Sequence, residues 1–171
     1  MRIIKLGLVS LFVFGLLALL ISFLFPSEIN IVRSIELPAT EQQVYKRIST
    51  VDSIGKWLID DDSIPTSVTN EDGKQVYKFG TSKAWIIKAH PERIITNWQV
   101  NKGPIVSSNF TFKISEDAQV STLQWTFTQK VKWYPWEKFA LIAAEKGFGD
   151  FMEKGLENLK KFIEENEGSN Q

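Results

Sequence analysis

Few side chains in this sequence are equipped for acid–base or nucleophilic chemistry, and their spacing does not suit it. His90 is the single histidine, and its His90-Pro91-Glu92-Arg93 setting is that of a turn, not of a base beside a nucleophile. One imidazole cannot build a multi-histidine metal site. The absence of cysteine removes thiolate zinc sites, disulfide frameworks and cysteine nucleophiles together. Asp60-Asp61-Asp62 has the charge density of a calcium loop, yet Ile64 stands where an EF-hand needs its third oxygen ligand and the loop glycine is missing. A solvated loop is the expectation there. Asn109-Phe110-Thr111 spells a glycosylation sequon inside a predicted strand. No metal or organic cofactor is expected.

One cation stands out. Arg33 shares strand parity with Ile31 and Ile35, so a regular strand turns it inward, where it would receive the anionic head of a lipid or fatty acid. A solvated strand end or a bulge that turns it outward is the alternative.

The elements that must position such groups begin with an apolar run. Leu6 to Phe25 is twenty residues without a charge, Ser10 and Ser22 being its polar members. As a helix it measures about 30 Å, the thickness of a bilayer's hydrocarbon core. A cleaved signal peptide has a shorter apolar region and a small-x-small cleavage site; here Phe25 occupies the position where a small residue should precede Ser27. An uncleaved anchor is therefore expected, and no cysteine follows to carry a lipoprotein anchor. Arg2 and Lys5 before the run, against Arg33 behind it, predict a single-pass protein with a cytoplasmic N-terminus and the domain on the extracytoplasmic side. The chain carries 20 basic and 20 acidic side chains. A near-neutral domain is a poor nucleic-acid binder, because it cannot neutralise phosphates. The expected organisation is a cytoplasmic N-terminus over 1–5, a transmembrane helix over 6–25, a linker over 26–28, a folded domain over 29–166 and a disordered tail over 167–171. Pro26, Ser27 and Glu28 span about 10–14 Å at most, which holds the domain close to the bilayer.

The domain opens with alternation over Ile29 to Leu37, a strand that Pro38 ends. Thr40 and Gln43 form a capping box for a helix bearing Val44, Ile48 and Val51. A short second helical piece holds Ile54, Trp57 and Leu58. From Thr66 the period is two. Turns at Glu71-Asp72-Gly73, at His90 to Arg93, at Lys102-Gly103-Pro104 and at Glu116-Asp117 separate six strands, which predicts an antiparallel sheet with one wet face. Tyr77 and Phe79 share one face, as do Trp85, Ile87 and Ala89; Trp98 alternates with its neighbours, as do Phe110, Phe112 and Ile114, and then Leu123, Trp125 and Phe127. After Gly147-Phe148-Gly149, Asp150 and Glu153 form a cap pair for a last amphipathic helix with Phe151, Met152, Leu156 and Leu159 on its apolar stripe.

This order resembles the helix-grip fold of the SRPBCC superfamily (START-like, Bet v 1-like). Ile31 to Ala39 with Val44-Tyr45 is similar to its opening strand and first helix. Asp52 to Trp57 is similar to its second helix, and Phe151 to Lys160 to its closing helix. Over about residues 29–166 the chain most resembles the polyketide cyclase/dehydrase and lipid transport branch, whose members often begin with one membrane helix. The fold so implied is α+β, a curved antiparallel sheet wrapped around a long C-terminal helix, preceded here by one transmembrane helix.

The resemblance also implies a hydrophobic cavity between sheet and helix. Its expected walls are Tyr77, Phe79, Trp85, Ile87, Trp98, Phe110, Phe112, Trp125 and Phe127 from the sheet, with Phe151, Met152 and Leu156 from the helix. A simply filled core is the alternative. Trp133, Tyr134, Trp136 and Phe139 lie where this fold commonly opens; ordinary packing under the helix end is one reading, and the other sets Trp133, Tyr134 and Trp136 at the membrane interface as a gate. The inward positions offer few polar groups that chemistry could use, namely Tyr77 with Arg33 and Thr96. That favours a binding module for a hydrophobic or lipid-like molecule, partnered by the bilayer through residues 6–25, over a cyclase or aromatase acting on a polyketide-like substrate. A tethered protein-interaction domain with a filled core is the third reading.

Overall fold

Alternation and turn chemistry build most of the molecule, a computed structural model that describes residues 2–113 and 120–168. In chain order the elements are α1 (Arg2–Ser22), β1 (Glu28–Leu37), α2 (Glu41–Ile48), α3 (Val51–Gly55), β2 (Thr66–Glu71), β3 (Lys74–Phe79), β4 (Ser82–His90), β5 (Arg93–Gln99), β6 (Ile105–Lys113), β7 (Ser121–Lys130) and α4 (Pro135–Gly168). The strands form one antiparallel sheet in the order β1-β7-β6-β5-β4-β3-β2. The six strands from β2 onward are therefore a meander, and β1 joins it beside β7. Asp72 and Gly73, both with positive φ, make the tight turn that two-residue hairpins favour. His90 pairs with Arg93 across the Pro91-Glu92 turn and is exposed. The expected strand end at Ile114 and the turn at Glu116-Asp117 lie outside the described residues.

Two compact units make up the chain: residues 1–29 with 129–147, and residues 30–128 with 148–171. In the larger unit, Thr40 and Gln43 close the expected capping box of α2, which points Val44 and Ile48 inward. Trp57, just beyond α3, donates its indole N–H to the Arg47 carbonyl at 3.0 Å and sets its ring edge-on to Phe110 and Trp125. The aspartate loop behaves as a turn: Asp61 Oδ1 accepts from the Ser63 hydroxyl at 2.6 Å and from its backbone N–H at 2.9 Å. Those two bonds, the hydroxyl's first, hold the exposed Asp61 carboxyl below its ordinary value.

Two expectations need correction. The closing helix does not begin at Asp150. It begins at Pro135, a residue suited to the first helical position because it lacks only an N–H that no carbonyl would accept. The Glu137 carboxylate accepts from the Lys132 N–H at 2.7 Å and steadies that start. Gly147 and Gly149 then sit inside the helix, where each costs about 1 kcal/mol relative to alanine without breaking it. The helix also runs to Gly168, beyond the expected start of the tail at 167.

The second correction concerns β4. Tyr77, Ala84 and Trp98 stand side by side across three strands and are all buried. Ala84 thus takes the core face between two large rings, and Trp85 takes the other. There the Lys83 ammonium lies 5.8 Å from the Trp85 ring centre. Ile87 falls in a bulge between Ile86 and Lys88 and is exposed. The even alternation of Trp85, Ile87 and Ala89 concealed both features.

Gly155 allows α4 to approach the sheet. A Cβ there would lie 3.1 Å from Trp125 Cζ3 and 3.5 Å from Leu58 Cδ1. Gly155→Leu should therefore destabilise the protein by about 1–3 kcal/mol through overpacking, read as a lower thermal midpoint in near-ultraviolet circular dichroism, while Gly155→Ala should change it far less.

Candidate functional site

The candidate site is the face that β3 to β7 present to residues 148–163 of α4. Trp98, Phe110, Trp125, Phe127 and Met152 are fully buried there, and Tyr77, Phe79 and Leu156 are nearly so. Their rings touch. Phe110 stacks on Trp125 at 4.8 Å between centres, and Trp98 lies 5.5 Å from both Trp125 and Phe127. Phe151 descends from α4 onto Phe79, Trp98 and Trp125 at 5.7–6.3 Å. Ten of the twelve expected wall residues thus share this face; Trp85 and Ile87 do not. Beside that closed floor, Phe112, Phe148 and Phe151 are only half-buried. Phe148 reaches Phe127 at 5.1 Å, and a Cβ on Gly147 would meet nothing within 4 Å.

Inside the aromatic floor lies a polar node that sequence reasoning found only in part. Trp98 Nε1 donates to Thr96 Oγ1 at 2.8 Å and to Ser108 Oγ at 2.9 Å, and Trp125 Nε1 donates to Ser108 Oγ at 3.0 Å. The two hydroxyls are 2.7 Å apart. The single Trp98 N–H is shared between the two hydroxyls, and either hydroxyl can donate to the other. The node is saturated, so Ser108 is a packing group for two tryptophans and not a nucleophile. Thr96 was expected to face inward. Ser108 was missed, although it stands directly across from Thr96 and shares parity with Phe110, a signal the sequence carried.

Tyr77 is different. Its ring stacks with Phe79 at 5.6 Å and lies over Gly55, where a Cβ would come within 2.9 Å. Its hydroxyl is buried and has no formed hydrogen bond among the described residues. Burial pushes the phenol above its ordinary value, and the Thr66 side chain counters this in part.

Arg33 has the inward parity expected of it. Its Nε donates to Glu153 Oε1 on α4 at 2.6 Å, and Nη1 donates to the Val32 carbonyl at 3.0 Å. The guanidinium lies across Gly149, which must lack a side chain to admit it. The two side chains of the pair remain 32% and 57% exposed. A pair that open to water is worth about 0–1 kcal/mol and opens readily.

The residues expected at the gate belong to the smaller unit. Trp133 and Tyr134 lie 4.8 Å apart, and Tyr134 and Trp136 stack at 4.9 Å with nearly parallel rings. Both tryptophans are exposed. Among the described residues no group of three or more histidine, cysteine or carboxylate side chains is placed to hold a metal ion.

A family model described as polyketide cyclase/dehydrase and lipid transport matches residues 28–164. No curated protein matches the chain by sequence. Solved structures share the fold. The chain is similar to KanY at 18% identity and a TM-score of 0.59, covering 81% of this chain and 99% of that one. It is similar to XoxI from Bacillus cereus at 18% identity and a TM-score of 0.57, with 81% and 97% covered. It is also similar to StfQ, a di-domain ARO/CYC protein of the steffimycin biosynthetic pathway, at 10% identity and a TM-score of 0.58, covering 82% of this chain and 52% of that one.

Removing the shared acceptor in Ser108→Ala strands the Trp125 indole N–H and should cost about 1–3 kcal/mol in chemical denaturation. Tyr77→Phe should do the reverse, raising stability near neutral pH by about 1 kcal/mol because it deletes a buried hydroxyl that has no formed hydrogen bond. The raised phenol also favours the folded state only while neutral. Its contribution is complete below the ordinary phenol value of about 10 and is lost as pH rises through the higher folded value. Denaturation midpoints followed into alkali should consequently fall less steeply in Tyr77→Phe than in the wild type.

Proposed function

The chain belongs to the polyketide cyclase/dehydrase and lipid transport family, and from that premise we propose that it is a membrane-anchored domain that binds a hydrophobic or lipid-like small molecule between sheet and closing helix, without catalysis. Residues 6–25 are its bilayer partner, with the N-terminus in the cytoplasm and the domain on the far side. The observation that carries the reading is the rim of the aromatic face. There the half-buried Phe148 and Phe151 flank Gly149, and the Arg33 guanidinium lies across that glycine. Apolar rings beside one cation suit an amphiphile with an anionic head. The exposed Arg33–Glu153 pair can be exchanged for that head at small cost. The floor below supports binding better than chemistry, because Thr96 and Ser108 are saturated by indole donors.

One observation favours a second reading. The buried Tyr77 phenol, which has no formed hydrogen bond among the described residues, is a hydrogen-bond donor of the kind a cyclase would aim at a substrate carbonyl. Tyr77 would then be the catalytic group on a polyketide-like substrate.

Full-length protein in membranes, labelled with a diazirine-bearing fatty acid and mapped by peptide mass spectrometry, tests the binding reading. Labels are expected on the α4 peptide holding Phe148 and Phe151. Arg33→Ala should reduce that labelling about tenfold for the acid, the loss of a charge-assisted hydrogen bond, and leave labelling by the matching alcohol unchanged. Label confined to residues 6–25 would mean bilayer contact alone and a filled core, which overturns the proposal.

A further inference from the structure

Lys138 is buried in the first turn of α4, with 5% of its surface exposed. A cation there opposes the dipole of its own helix, whose N-terminal end is positive, and burying it adds desolvation. Its partners explain the position. The ammonium donates to the Ser22 carbonyl at 2.9 Å and to the Phe25 carbonyl at 2.8 Å. These groups close the C-terminal end of α1, where the dipole is negative and carbonyls lack intrahelical donors.

Three further contacts fasten the same two segments. Ser22 Oγ donates to the Trp133 carbonyl at 3.2 Å, Val131 N–H donates to the Ser27 carbonyl at 2.9 Å, and the Phe25 and Phe139 rings meet edge-on at 5.6 Å. The exit of the apolar helix is thus part of a folded unit. Cleavage after residue 25 would take away the Ser22 and Phe25 carbonyls and leave a buried ammonium without acceptors. The fastening also fixes the height of Trp133, Trp136 and Phe139 relative to the end of α1. They are 56%, 67% and 44% exposed beside a helix of 21 residues whose large apolar side chains are exposed along its length.

We propose that α1 is retained on the mature protein as an anchor latched by Lys138, and that Trp133, Tyr134 and Trp136 form a collar seated in the headgroup region of the bilayer that α1 crosses. The proposal rests on the membrane-anchored reading above. Amphipathic rings are favoured at that depth.

The test uses the full-length protein, recovered from membranes and reconstituted into vesicles of phosphatidylcholine and phosphatidylglycerol. Its intact mass should include residues 2–25, and it should resist extraction by alkaline carbonate. A spin-labelled lipid with its quencher near the headgroup should dim tryptophan emission more than one with the quencher at the chain end, and the difference should vanish in the Trp133→Phe, Trp136→Phe double variant. Lys138→Met should speed protease cleavage within residues 23–27 about a hundredfold, as the loss of two charge-assisted bonds implies; Lys138→Arg should restore protection. If Lys138→Met does not fold, Ser22→Ala should give a smaller change in the same direction. A mature chain lacking α1, or a carbonate-extractable one, overturns the anchor reading and the latch together. A retained α1 with unchanged cleavage in both variants overturns the latch alone. Wild-type emission dimmed equally by the two lipids, or a difference that persists in the double tryptophan variant, overturns the collar.

Discussion

Two indole N–H groups inside an aromatic core constrain the rest of the larger unit. A tryptophan can be buried fully only if its one donor finds an acceptor, and here Trp98 and Trp125 find theirs in the hydroxyls of Thr96 and Ser108. Those hydroxyls lie across from each other on neighbouring strands. Slipping β5 against β6 by one residue would turn one of them to solvent and strand a donor in the core. The node therefore reinforces the register that alternation already favours. It also gives Phe110, Phe127 and Phe151 fixed rings to pack on.

The closing helix answers that floor with glycine where the sheet is tall. Gly155 admits Trp125, and Gly149 admits the Arg33 guanidinium. Residue size thus decides where the face is sealed and where it is not. Around Trp98 and Trp125 the rings touch, whereas along Phe148, Gly149 and Phe151 apolar surface stays half-covered beside a weakly held cation. Family membership is consistent with either a bound molecule or a reaction in such a place. The chemistry available there separates the two, because hydroxyls already committed to indoles offer a substrate nothing and the Tyr77 phenol does.

Much of this was legible without coordinates. Periodicity located each strand, and the Thr40–Gln43 pair announced α2. The parity of Arg33 was read correctly. Illegible were the features that depend on a neighbour's size or on a distant backbone. Ala84, not Trp85, holds the core face between Tyr77 and Trp98, and the bulge at Ile87 has no spelling of its own. Gly147 and Gly149 looked like the preface to a helix, since a weak helix former cannot be told from a terminator until the flanking turns are seen to continue.

By itself, then, the sequence determined the length of the apolar first helix, the order of strands and helices, and the aromatic character of one sheet face, because these follow from local period and composition. Only the tertiary structure decided that Ser108 serves two tryptophans, that Arg33 rests on Gly149 beside Glu153, and that a lysine in one helix caps the end of another. Each of those joins groups from 10 to 120 positions apart, and contacts formed across such separations leave no periodic trace in the chain that makes them.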